Sequence, residues 1–185
     1  GIGRCAAHEL AALGAQVMIT GRKAEKLALV EDEIIQDGGL IRSIVCDIRD
    51  EQQVKDTIAT VIKDFGRIDG LVNNAGGQFP SALASISTNG FDAVVKNNLH
   101  GTFLMMREVY NQWMCKHGGS IVNMCADMWG GMPGMGHSGA ARAGMLAQTF
   151  VGEPDHRVAL AAALREGVAV EHADATARIA DQPGL

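Results

Sequence analysis

Apolar positions along this chain follow two alternating rhythms, one near 3.6 residues and one of short unbroken β-rich runs. An amphipathic stretch from the opening Gly1-Ile2-Gly3-Arg4 through Cys5, Leu10 and Leu13 to Gly14 predicts a helix, and Ala15 to Thr20 a strand. A second helix is predicted over Ala24 to Gln36, where Asp37-Gly38-Gly39 stops it, and a second strand over Ile41 to Cys46. A further helix begins near Glu51, and the apolar run Ile68 to Val72 reads as a buried strand. Two long helices, Phe91 to Lys116 and Ser138 to Thr149, flank another strand at Gly119 to Asn123. Strands alternating with helices across short Gly-bearing connections predict an α/β fold, a parallel sheet covered by helices on both faces.

Chemistry gathers where these strands end. The run Ile68 to Val72 ends in Asn73-Asn74-Ala75-Gly76. The asparagine amides can tie neighbouring strand ends together, and Ala-Gly keeps side chains short where something flat must approach. Ligands of open parallel sheets lie in the crevice outside the carboxyl ends of strands. Gly1 and Gly3 read as the last two glycines of a dinucleotide-binding turn, with Ile2 between them and backbone N–H groups at a helix start facing a pyrophosphate.

These pieces, in order, resemble the short-chain dehydrogenase/reductase family. They are Gly1-Ile2-Gly3, Asp47 after the third strand of that fold, Asn73-Asn74-Ala75-Gly76 after the fourth, Asn98-Leu99-His100-Gly101-Thr102, and Gly119-Ser120-Ile121-Val122-Asn123. The resemblance covers Gly1 to about Thr149. Within the family, Gly136 to Gly144 is similar to peroxisomal-type trans-2-enoyl-CoA reductases and to bacterial citronellol/citronellal dehydrogenases, and Ala126 to Met135 leans towards the terpenoid group. The fold implied is a doubly wound, Rossmann-like parallel sheet in three αβα layers.

The chain begins inside the phosphate-binding turn, so the sheet is expected to lack its first, central strand. Residues 1–149 are expected to form an NAD(P)-binding domain. In residues 150–185 the helix continuation, sixth strand and substrate loop of the family fade out, and Pro154 would break a running helix. That tail reads either as a shifted frame or junction, or as a divergent but genuine C-terminus.

Length and charge narrow the partners. The 185 residues suffice for one core, the net charge is -5, and aromatic residues make up only 4%, which leaves no footprint for nucleic acid. No apolar run reaches membrane-spanning length and no secretory leader is visible. Cys5, Cys46, Cys115 and Cys125 lack metal-ligand spacing and read as reduced, mostly buried thiols of a cytoplasmic protein.

Cofactor choice follows from Gly21-Arg22-Lys23 after the strand ending at Thr20. An acid there would accept hydrogen bonds from a ribose 2′-hydroxyl, whereas Arg22 and Lys23 suit a 2′-phosphate. NADP(H) is favoured over NAD(H); the competing reading is a solvated helix start. The resemblance implies that Asp47 accepts from the adenine amino group while Ile48 packs on the ring. Asp47 also reads as the N-cap of the next helix.

At the catalytic positions the chain departs from the family. Asn98 matches the family's asparagine, but its serine position holds Ala126, its tyrosine position Ser138, and its lysine position Arg142. Ser138 is a poor acid near neutrality and Arg142 cannot release a proton, though it can hold a ribose and stabilise negative charge. A proton would come from water or from His137. His100 reads as structural.

Met128, Trp129, Met132 and Met135 suggest an adaptable apolar pocket for an isoprenoid or acyl chain, and Met124 ordinary core. Phe103, Leu104, Met105 and Met106 occupy more than one helix face, and the family's equivalent helices pair in homo-oligomers. The expectation is an NADP(H)-dependent oxidoreductase of lipid or terpenoid metabolism, acting on an apolar alcohol/aldehyde such as citronellol/citronellal or on an enoyl-CoA. The alternative is a catalytically silent nucleotide-binding member serving as subunit partner or sensor.

Overall fold

In the computed structural model, which describes residues 1–126, 131–150 and 158–163, the chain divides into two units, Gly1–Arg67 and Ile68–Leu185. Of residues 150 and 158–163 only the backbone is described.

The first unit opens with α1 (Ile2–Ala12), whose buried face differs from the expected one. Ala7 and Ala11 pack against Val17, Ile34 and Ile41, whereas Leu10 is exposed and Leu13 is 82% exposed. Small side chains four residues apart let a helix axis approach a sheet closely, and here they decide the packing over the larger leucines. Cys5 is likewise exposed, and only Cys46 and Cys125 of the four thiols are buried.

Strands β1 (Gln16–Gly21) and β2 (Leu40–Val45) pair in parallel, with Val17 opposite Ile41. Each lies one residue from its predicted span, because ladder pairing rather than apolar content sets strand ends. Between them α2 (Ala24–Gln36) occupies the predicted residues and packs on both strands. Helix α3 (Glu51–Phe65) is capped by Asp50, whose Oδ1 accepts the Gln53 N–H at 3.0 Å, so Asp47 is not its N-cap. Gly66 closes that helix in the left-handed region at φ 74, where a side chain would be strained.

The second unit is built on β4 (Gly119–Met124), with β3 (Gly70–Asn73) parallel on one side and β5 (Val158–Ala163) parallel on the other. The sixth strand that was expected to fade out is therefore present. All six residues of β5 pair with β4, the backbone ladder overriding the weak β-propensity of alanine. The strands form two separate sheets, β1-β2 and β3-β4-β5. The expected buried strand Ile68 to Val72 is also less enclosed than its composition suggests, with Val72 39% exposed.

The long helix begins at Thr88, three residues before its predicted start, because Ser87 Oγ accepts the Gly90 N–H at 3.1 Å. It comprises α4 (Thr88–Val95), α5 (Gly101–Val109) and α6 (Cys115–His117), joined by π-helical turns at Lys96–His100 and Tyr110–Met114. Helix α7 (Gly136–Phe150) packs on α4, α5, β4 and β5. Among the described residues, no helix is long and apolar enough to cross a membrane.

A buried polar chain ties these elements. Asn73 Nδ2 donates to Asn123 Oδ1 at 2.8 Å, Asn123 Nδ2 to Thr149 Oγ1 at 2.9 Å, and Thr149 Oγ1 to the Met145 carbonyl at 2.8 Å. The asparagine that ends β3 thus binds a neighbouring strand end, as its sequence position suggested. Asn123→Leu strips the buried Asn73 amide of its acceptor, and is expected to cost about 2 kcal/mol, read as a lower urea midpoint at unchanged slope.

Candidate functional site

In the first unit, parallel pairing brings the carboxyl ends of β1 and β2 together, and the Cys46 N–H donates to the Gly21 carbonyl at 2.9 Å. Exposed Arg22 and Lys23 follow β1, and Asp47 follows β2. A residue not singled out in the sequence, Arg49, grips the Asp47 carboxylate. Its Nε lies 2.8 and 3.1 Å from the two oxygens, its Nη2 also donates, and its backbone N–H donates at 3.1 Å. The hydrogen bonds from Arg49, helped by the charge of Arg22, hold the Asp47 carboxyl down at about 2. Ile48 is buried, 8% exposed. At the start of α1, Gly1 stands at the N-cap without a side-chain cap and with no acid in the first turn, and a Cβ on Gly1 would meet nothing within 4 Å. Gly1, Ile2 and Gly3 therefore leave first-turn N–H groups without side-chain caps.

In the second unit the π-helical turn Lys96–His100 carries Asn98, which is fully buried. Such turns insert an extra residue into a helix and re-aim a side chain, and they recur at functional sites. Thr102 Oγ1 donates to the Asn98 carbonyl at 2.9 Å. The Asn98 carboxamide clamps one residue after Asn73-Asn74-Ala75-Gly76: its Oδ1 accepts the Gly77 N–H at 2.9 Å and its Nδ2 donates to the Gly77 carbonyl at 2.8 Å. Arg142 Nη2 reaches the same Oδ1 at 3.4 Å. Arg142 Nη1 donates to the Met124 carbonyl at the end of β4, while its buried Nε has no hydrogen-bond partner among the described residues. Burial pulls the Arg142 guanidinium below its ordinary range, and it remains charged at neutral pH. Burial likewise pushes the Cys125 thiol up, against the pull of Arg142.

Gly76 is required by approach. A Cβ there would stand 2.5 Å from Arg142 Nη2 and 2.6 Å from Asn98 Oδ1, so Asn98 and Arg142 are brought together directly behind the backbone at Gly76. Asn74 is half-buried beside it and Ala75 is exposed. Ser138, in the first turn of α7, is fully buried and donates to Gln78 Oε1 at 2.7 Å. Gln78 carries no local sequence signal, since its partner lies 60 residues away. His137 is also fully buried; its ring lies 4.5 Å from Phe79, and neither nitrogen finds a hydrogen-bond partner among the described residues. His100 is exposed and stacks near Phe103 at 6.4 Å. The Gly/Met loop folds back on the site, with the Gly134 carbonyl accepting the Ser81 N–H at 2.7 Å and Met132 against Gly139. Met128 and Trp129 lie outside the described residues.

The model of the short chain dehydrogenase family matches residues 1–152. The chain belongs to the short-chain dehydrogenase family. Among solved structures it is similar to the citronellol catabolism dehydrogenase AtuB of Pseudomonas aeruginosa PAO1, at 62% identity and TM-score 0.78, over 80% of this chain and 61% of that one. A metagenomic short-chain oxidoreductase in complex with NADP is 29% identical at TM-score 0.83, over 98% and 86% of the two chains. The Bacillus subtilis (strain 168) "Probable 2,4-dienoyl-CoA reductase" is 38% identical over 151 residues, 80% of this chain and 59% of that protein. The chain therefore spans about three fifths of the length of that curated relative.

Asp47 offers a direct check on the electrostatics of this short-chain dehydrogenase family member. In Arg49→Met its carboxyl is expected to titrate near the ordinary value of about 3.9 rather than about 2, followed by NMR through the acid range. The native carboxyl is depressed, so the pair's stabilisation is complete above about pH 4 and is lost as pH falls towards about 2.

Proposed function

We propose that the protein works as an NADP(H)-dependent oxidoreductase in the cytoplasm, acting on an apolar alcohol/aldehyde of the citronellol/citronellal kind or on an enoyl-CoA. The observation that carries this reading is the buried Asn98 carboxamide, locked to Gly77 and met by the Arg142 guanidinium immediately behind Gly76. A fixed cation and a rigid amide beside a side-chain-free backbone suit a flat, polarisable ring and an oxygen that gains charge.

Residues of each unit, taken by itself, suit one part of a dinucleotide. The uncapped start of α1 would take the pyrophosphate at Gly1, Ile2 and Gly3. Arg22 and Lys23 would hold a 2′-phosphate, and Asp47 with Ile48 the adenine. Because Arg49 already occupies the Asp47 carboxylate, that acid repels a phosphate less than a free one would. Asn74, Ala75 and Gly76, with Arg142, would hold the nicotinamide ribose and ring. When bound, the reduced nicotinamide supplies a hydride. Arg142 then stabilises the developing negative charge, and Asn98 keeps the Gly77 backbone in place. The relatives support both substrate classes, since one is titled a citronellol catabolism dehydrogenase and another a dienoyl-CoA reductase.

Leu104 and Met105 are buried while Phe103 is 38% exposed under Arg107, which supports a homo-oligomer that covers Phe103. The second reading, a silent nucleotide-binding member, is favoured by Ala126 at the family's serine position and by the enclosure of the Ser138 hydroxyl.

Steady-state turnover of NADPH with citronellal and with crotonyl-CoA separates the two. Turnover of either substrate is expected; tight NADPH binding with no turnover of either would leave the silent reading. The double variant Arg22→Glu, Lys23→Glu is expected to raise KM for NADPH roughly 10- to 100-fold while leaving that for NADH nearly unchanged, as loss of charge-assisted hydrogen bonds to a phosphate requires. Equal effects on both cofactors would contradict the assignment.

A further inference from the structure

We propose that Gln78 is the group that meets the carbonyl oxygen of the substrate, and that Ser138 is its positioning residue. The inference rests on the oxidoreductase reading above and names a residue that reading left unassigned.

Ser138 holds the position at which the family places its acid, yet its hydroxyl is sealed from solvent and its one proton is donated to Gln78 Oε1 at 2.7 Å. A hydroxyl committed in this way has no proton left for a substrate. Gln78 is exposed, and with Oε1 engaged its carboxamide presents the opposite edge, the Nε2 donors. A hydrogen bond accepted at the amide oxygen also polarises the amide N–H.

The backbone beneath Gln78 is fixed from both ends. Asn98 holds the preceding residue, Gly77, by its N–H and by its carbonyl. On the other side Phe79 packs on the His137 ring, and the Ser81 N–H is bound to Gly134. A donor on a segment anchored at three points costs little reorganisation when charge develops. Further along the chain, Leu83, Ile86, Ser87, Thr88 and Phe91 line an open depression of about 320 Å³.

The chemistry balances without a protein acid. As hydride reaches carbon, the displaced pair of the carbonyl, or of its conjugated double bond, comes to rest on oxygen. The Gln78 N–H stabilises that oxygen, and water supplies the one proton that completes the product. Neither an amide nor a guanidinium releases a proton near neutrality.

Two readouts test this on the full chain. The first is the carbonyl stretch of isotope-labelled citronellal, or of crotonyl-CoA, bound to the NADP⁺-loaded protein. It is expected at lower frequency in the wild type than in Gln78→Leu. The second is kinetic. Gln78→Leu is expected to lower kcat roughly 10²- to 10³-fold, with KM for NADPH within about twofold and a melting temperature unchanged. Gln78→Glu is expected to regain activity as pH falls and its carboxyl protonates into a donor, a profile no structural role would produce. Ser138→Ala is expected to lose less than Gln78→Leu.

A wild type with an unshifted carbonyl stretch, or Gln78→Leu with wild-type kcat, overturns the assignment of Gln78 and leaves the oxidoreductase reading standing. A shifted stretch that depends on Gln78, without turnover, supports the contact and sinks that reading. Failure of both probes to bind overturns both.

Discussion

The second unit is organised around one buried carboxamide. Asn98 sits in a fully enclosed position that would be expensive for a polar side chain, and it stays there because Gly77 answers both ends of its amide. An unsatisfied buried polar group costs about 1–3 kcal/mol, so the loop after β3 cannot drift from the helix without exposing that cost. Arg142 depends on the same group. Its charge is partly desolvated, its contacts are the Met124 carbonyl and Asn98 Oδ1, and the described residues supply it with no carboxylate. Such a cation is poorly compensated and adds little to stability.

Charge is handled differently in the first unit. Asp47 lies in a local group with Arg22, Arg49 and Asp50, and Arg49 absorbs its carboxylate. The arrangement makes that carboxylate part of a neutral pair with Arg49. The exposed Arg22 guanidinium and Lys23 ammonium are weak contributors to stability, since exposed charges gain little from folding, and in the proposed function they would meet a phosphate.

Most element positions were legible because periodicity and breakers coincide. Helix α2 runs over the predicted residues because Asp37-Gly38-Gly39 leaves no alternative stop, and the parallel α/β class follows from the alternation itself. Packing was less legible. In α1 the hydrophobic pattern nominated Leu10 and Leu13, but steric approach selected Ala7 and Ala11, a choice made by the partner surface rather than by the helix. Strand β5 was missed since an alanine run carries little β signal, and only the edge of β4 gives it a ladder. Within the site, Asn98 and Arg142 were readable from the family pattern. Arg49 was within reach of local reasoning, two residues beyond Asp47. The pairing of Gln78 with Ser138 spans 60 residues and had no local signature.

The substitutions at the family's acid positions need not be losses. Replacing a phenol by an enclosed hydroxyl would be purely destructive if the hydroxyl were left to face the substrate, because an alcohol cannot serve as an acid near neutrality. Here Ser138 points its proton at an amide instead, and the amide lies on a backbone that Asn98 has already immobilised. Donor, clamp and cation then divide among Gln78, Asn98 and Arg142 the tasks that a tyrosine–lysine pair would perform together, with one difference. None of the three exchanges a proton, so the arrangement stabilises charge on oxygen but leaves protonation to solvent. Such a site works best where negative charge can be held and shared before a proton arrives. A conjugated acceptor, which spreads its charge from oxygen to carbon, meets that condition better than an isolated carbonyl does.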